Sequence, residues 1–325
     1  MRPHDIQEQL TKYLTDAHSI EEQALAQMKV APEISRDPDI AAAFSTHRKE
    51  TEHHERLVRE CLEARGASPA RVKDLVGTLT GKGFVAFARS QQDTTGKLVA
   101  HAFSYEHMEL AAYEFLEQVA LRADDERTAE AARQIAAQER AMGERLESLF
   151  DRAAQASLRE VPRDDLHEQL VKYLADAHAI EAQSVKLLDK APQLAGTAQL
   201  AAVYQEHRWE TEEHERLISA RLESLGGSPS RLKDAVLSLG GLNWSAFFRA
   251  QPDTPAKLAA FTYAFEHLEI AAYELLRRVA DRAAEGETAL LASRIIGDER
   301  DAAELIHSLF DQALDASLQA EGVAA

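Results

Sequence analysis

Several stretches of this chain place glutamate and histidine where the apolar spacing of a helix calls for leucine or alanine. The series Ile40, Phe44, His47, Glu50, His54, Leu57, Cys61 advances three or four residues at each step, so three ionisable groups fall on the face that its apolar members mark as inward. The same reading puts Glu21 in the series Leu10, Leu14, Ala17, Glu21, Ala24, Met28. It puts Glu106 and Glu109 between Ala102 and Tyr113, and Glu139 between Ile135 and Met142. A buried carboxylate without a partner costs several kcal/mol or takes up a proton. Two like charges about 4 Å apart repel by about 4 kcal/mol at an effective dielectric near 20. A cluster of Glu21, Glu50, Glu106, Glu109 and Glu139 therefore needs shared protons or cations, and two divalent ions nearly balance its charge. Carboxylate mixed with imidazole suits Fe, Mn or Zn better than Ca or Mg, which take oxygen ligands. The expected cofactor is a di-metal centre of Fe, Mn or Zn.

All of these residues occur twice. The segment from Ile6, IQEQLTKYLTDAHSIEEQ, returns from Leu166 as LHEQLVKYLADAHAIEAQ; HRKETEHHERL from His47 returns from His207 as HRWETEEHERL; and YEHMELAAYE from Tyr105 returns from Phe265 as FEHLEIAAYE. The separation stays constant, so the chain is two gap-free copies of one domain, expected over residues 1–158 and 165–318. The second set of candidate ligands is then Glu181, His207, Glu210, His214, Glu266, Glu269 and Glu299. The duplication also separates neighbours. His53 becomes Glu213 in the second copy, whereas His54 is kept as His214, so His54 and His214 are the preferred imidazoles. His47 and His207 stay open between ligand, hydrogen-bonding support for a ligand, and ordinary core histidine. His18 and His178 read as capping or surface residues, and Tyr113 and Tyr273 as core tyrosines one turn beyond Glu109 and Glu269.

The elements that position these groups are helices throughout, since no stretch sustains strict alternation. Each copy is predicted to hold four long helices: about Asp5 to Lys29, Pro38 to Ala64 ending at Gly66, a third beginning after Asp93-Thr94, and about Asp125 to Ala153. About 30 residues separate the second helix from the third, including Ser68-Pro69 and Gly81 to Phe84. That is too long for a hairpin turn and is the single long crossover of a ferritin-like bundle. The matching segment Leu242 to Arg249, with Trp244, is expected to cap the bundle or the interface between the copies, which are expected to pack as a pseudo-dimer.

Composition agrees and excludes alternatives. The 325 residues hold 55 Asp+Glu against 37 Lys+Arg, a formal charge of −18, and only 14 Gly and 9 Pro. Such a chain suits helices and lacks the clustered cations that nucleic-acid binding requires. The lone cysteine, Cys61, excludes an internal disulfide and a cysteine-based metal site, and Arg221 replaces it in the second copy. No apolar run approaches the ~20 residues of a membrane span, and the start MRPHDIQEQL lacks a signal-peptide core. The expectation is a cytoplasmic protein with neither nucleic-acid nor membrane partners.

Taken together, the helix-1 Glu, the His-x-x-Glu-Thr of helix 2 (His47, Glu50, Thr51; His207, Glu210, Thr211), the Glu-His-x-Glu of helix 3 (Glu106, His107, Glu109; Glu266, His267, Glu269) and the helix-4 Glu resemble the YciE/YciF-type stress proteins of the ferritin-like superfamily. The resemblance covers essentially all of both copies. It implies four-helix bundles with dinuclear centres of iron or manganese. Relatives in the wider superfamily oxidise Fe(II), reduce peroxide or activate dioxygen. This chain departs from their pattern in that the preferred helix-2 His follows Glu50 by four positions, and Met142 or Ala302 stands where a second helix-4 His would be. A ferroxidase- or peroxidase-like role in oxidative stress is the leading expectation. The alternatives are a metal-free scaffold that binds a partner without turnover, and metal sequestration alone.

Overall fold

The computed structural model describes residues 5–67, 94–228 and 253–323, which are helical with short turns and contain no strand. The chain divides into two compact units, Met1–Ser157 and Leu158–Ala325. In the first unit the helices are α1 (Ile6–Met28), α2 (Ala31–Ile34), α3 (Pro38–Ala64), α4 (Thr94–Arg122), α5 (Glu126–Ser148) and α6 (Phe150–Leu158). After a 3-10 turn at Arg163–Asp165, the second unit repeats them as α7 (Leu166–Leu188), α8 (Ala191–Leu194), α9 (Ala198–Ser224), α10 (Thr254–Arg282), α11 (Gly286–Ser308) and α12 (Phe310–Ala320). The crossover segments, with Ser68-Pro69, Gly81 to Phe84 and Trp244, lie outside the described residues.

Local chemistry sets the helix ends. Asp37 opens α3 by accepting from the backbone amides of Asp39 and Ile40, with Pro38 at the first helical position. At the far end Gly66 takes φ +68°, and the amide of Ala67 reaches back to the Leu62 carbonyl at 3.0 Å, the six-residue closure that a left-handed residue permits. Arg65 then ties this end to the start of α1 and to α5, donating to the Gln7 carbonyl at 2.9 Å, the Thr11 hydroxyl at 3.1 Å and Asp125 at 3.1 Å. The predicted fourth helix is in fact two, because the chain turns at Leu149 before α6 begins. Ser157 on α6 accepts from the amide of Gly96 at 2.8 Å, and Ser317 does the same for Ala256 in the second unit.

Four helices supply the core of each unit. Leu10, Leu14, Ala17, Glu21, Ala24 and Met28 form the buried stripe of α1; Leu98, Ala102, Glu106, Glu109, Tyr113 and Leu116 that of α4; and Ala132, Ile135, Glu139, Met142 and Leu146 that of α5. The stripe of α3 differs from the expected one. It runs Ile40, Phe44, His47, Thr51, His54, Val58, Cys61, with Thr51 buried and Glu50 half-turned outward. At 100° per residue, positions 47, 51, 54 and 58 stay within about 40° of one line, while position 50 falls about 60° off it. No helix among the described residues is long and apolar enough to cross a membrane.

Candidate metal centre

Side chains from all four long helices converge midway along each unit. In the first unit His47, Glu106, Glu109 and Glu139 each offer an atom within 4.8 Å of the others, and so do Glu21, His54 and Glu139. Glu139 belongs to both groups. The second unit repeats this with Glu181, His214 and Glu299, and with His207, Glu266 and Glu299, so that Glu299 is shared. Glu269 is fully buried beside them and accepts from the Ser184 hydroxyl at 3.4 Å.

The contacts are those of a carboxylate–imidazole box. His47 Nε2 lies 3.0 Å from Glu106 Oε2 and 3.5 Å from Glu139 Oε2, and His54 Nδ1 lies 2.8 Å from Glu139 Oε1 and 3.8 Å from Glu21 Oε1. In the second unit His207 Nε2 is 2.9 Å from Glu266, and His214 Nδ1 is 2.8 Å from Glu299 and 3.9 Å from Glu181. Each imidazole is held from behind by its other nitrogen. His47 Nδ1 faces Glu50 Oε2 at 3.1 Å, and His54 Nε2 faces the amide oxygen of Gln138 at 2.6 Å. Tyr113 donates its hydroxyl to Glu21 Oε1, and Tyr273 does the same to Glu181. The Thr51 hydroxyl bonds back to the His47 carbonyl at 3.0 Å.

Glu50 and Glu210 therefore stand apart from the other predicted residues: their side chains are 30% and 54% exposed, and each reaches the box only through a histidine. His53 is likewise on the outer face, with its ring against Arg56. His18, read as a surface or capping residue, is buried, with Nε2 3.1 Å from Glu55. The supporting residues Gln138 and Asp298 were missed because they differ between the copies and lie off the inward stripe, so neither signal marks them.

Charge is crowded here without relief. All the oxygens of Glu106, Glu109 and Glu139 are buried and lack a well-aligned hydrogen bond, although some sit at ion-pair distance from the histidines. Burial pushes Glu21 up to about 8, with His54 opposing and Glu139 adding to the shift. Burial likewise carries Glu106 to about 7 against the pull of His47, and holds Glu109 well above the carboxylate range. Glu139 goes the other way: burial opposes its charge, but His54 and His47 outweigh that and keep it ionised. The box thus favours the anionic form of one carboxylate, Glu139, between two imidazoles and the protonated form of Glu21, Glu106 and Glu109. Orphaned, converging oxygens and imidazole nitrogens, with one carboxylate common to two groups, could hold metal ions.

Residues 5–159 and 165–319 each match the family described as a domain of unknown function, DUF892. The chain belongs to that family, which is part of the ferritin-like superfamily, and carries its domain in tandem. No curated protein and no solved structure matches.

Proposed function

We propose that each unit binds two transition-metal ions, iron in preference to manganese or zinc, and that the resulting centres serve a ferroxidase- or peroxidase-like reaction protecting against oxidative stress. The observation that carries this reading is the sharing of Glu139, and of Glu299 in the second unit, between two groups of buried ligand atoms. One group is His47, Glu106, Glu109 and Glu139; the other is Glu21, His54 and Glu139. The motif likeness to YciE/YciF-type stress proteins supports the oxidative-stress setting.

Held by the carboxylates and imidazoles of these groups, such a metal pair would supply redox chemistry toward dioxygen or peroxide. The chain's own residues do the rest. Glu50 accepts from His47 Nδ1 and so turns Nε2 toward the box, the arrangement by which a carboxylate fixes a ligating imidazole. Tyr113 holds Glu21 by Oε1, the oxygen 3.8 Å from His54 Nδ1, and Glu21 Oε2 is left without a hydrogen-bond partner. The candidate ligands are at most 4% exposed, which excludes bulk water, and on the outer side of His47 the partly exposed Glu50 lies 3.8 Å from Arg145.

The test is anaerobic loading with Fe(II), with metal counted by elemental analysis. Four ligand groups predict four ions per chain, falling to half in Glu139→Ala and again to half in Glu299→Ala. No uptake would favour the metal-free scaffold. Uptake without consumption of dioxygen or peroxide would favour sequestration.

A further inference from the structure

The two units present the same candidate ligands but not the same residues behind them. His54 Nε2 meets a neutral amide, Gln138 Oε1, whereas its counterpart His214 Nε2 meets a carboxylate, Asp298 Oδ2, at 3.3 Å. The groups behind the other imidazole differ too. Glu50 has Arg145 at 3.8 Å, and the position of Arg145 in the second unit is taken by Leu305, so no arginine from that position draws charge away from Glu210. Asp298 has Arg294 at 3.8 Å on its solvent side, which moderates its charge without cancelling it. Inside the box, Glu21, His54 and Glu139 correspond one for one to Glu181, His214 and Glu299.

We propose that Asp298 is a positioning residue that makes the Glu181–His214–Glu299 position bind divalent transition-metal ions more tightly than the otherwise identical Glu21–His54–Glu139 position, so that the two units load in order. The inference rests on the metal-centre reading above. The physical cause is that a carboxylate accepting the outer N–H of an imidazole makes the inner nitrogen a stronger donor and fixes its tautomer, while an amide oxygen fixes the tautomer alone. Loss of such a partner typically weakens metal affinity by about 10–100-fold. Because Asp298 is 43% exposed, the lower end, about 10-fold, is the expected effect.

Co(II) is the probe, added anaerobically to the full chain and followed both by its visible absorption and by competition with a chromophoric chelator. The native protein should fill in at least two affinity classes. Asp298→Gln should weaken the tightest class by about 10-fold and shift its absorption bands, Asp298→Glu should restore both, and Gln138→Asp should tighten the corresponding class of the first unit. Thermal melts of the metal-free variants check that each folds. Co(II) binding with isotherms and spectra unchanged by both exchanges would overturn this inference and leave the metal centres standing. Absence of any Co(II) binding would overturn the metal reading itself, and this inference with it.

Discussion

Replacing Glu109 with leucine should make the metal-free protein more stable. Glu109 is fully buried, and neither of its carboxyl oxygens has an aligned hydrogen-bond partner. A buried polar group left unsatisfied costs about 1–3 kcal/mol, and a leucine of similar length removes that cost while keeping the packing. For a unit of this size the gain corresponds to roughly 2–12 °C in Tm. It should also grow with pH. Burial raises Glu109 well above its ordinary 4.5, so the folded chain keeps a proton that the unfolded chain releases, and native stability falls as pH climbs above that value. The leucine variant has no such loss. The assay is thermal unfolding in chelator at mildly acidic and mildly alkaline pH, paired with Fe(II) uptake, which the same change should weaken in the first unit. A variant at least 1 kcal/mol less stable than the parent would refute the reasoning, because the carboxyl would then belong to a structural hydrogen-bond network and not to a site built for a cation.

The whole box makes a broader pH prediction. Glu21 sits at about 8 and Glu106 at about 7, both raised mainly by burial, while His47 and His54 are held above 6.5 by neighbouring carboxylates that outweigh their own burial. Each of these groups binds its proton more tightly when folded, whereas the buried, neutral His101 and His107 act in the opposite sense only below about pH 6.5; metal-free stability should therefore fall from about pH 6.5 to about pH 8, and a Tm that rises over that window would contradict the assignment. Bound metal should flatten the fall, since the cation replaces the protons. Tyr113→Phe removes the donor to Glu21 and should cost about 1 kcal/mol or more in urea unfolding of the metal-free chain. Asp37→Ala strips the α3 cap and the partner of Arg152, which bonds both carboxylate oxygens at 3.2 Å; the expected loss is about 1–2 kcal/mol with metal uptake retained.

How much of this was legible depended on which physical rule each residue answers to. Burial of Glu21, His54, Glu106, Glu109 and Glu139 followed from helical spacing because each lies on the central line of its stripe. Glu50 did not, since steps of three and four were accepted as equivalent and their angular errors of about 60° and 40° were not added up. The choice of His54 over His53 came from duplication, which keeps what both units need. The same filter hid Gln138 and Asp298, whose significance is that they differ. The break at Leu149 left no mark because α5 and α6 keep the apolar period on both sides of it.

The supporting groups also explain how such a box persists in a folded chain. Three protonatable carboxylates and two imidazoles at one level oppose folding when no cation is present, so the surrounding helices must over-determine their positions. Tyr105 bonds the Ile20 carbonyl at 3.1 Å beside Glu21, Thr51 bonds the His47 carbonyl, and His107 donates to the Phe103 carbonyl at 2.7 Å one turn before Glu106 and Glu109. His107 also packs against Gly143, where an added Cβ would come within 3.0 Å of its ring. Burial pushes His107 down to about 4, so it stays neutral and adds no charge to the box. A residue can be conspicuous in the Glu-His-x-Glu motif for this reason alone: His107 bonds the α4 backbone at Phe103 and packs against Gly143, while Glu106 and Glu109 on either side of it are buried in the carboxylate–imidazole box.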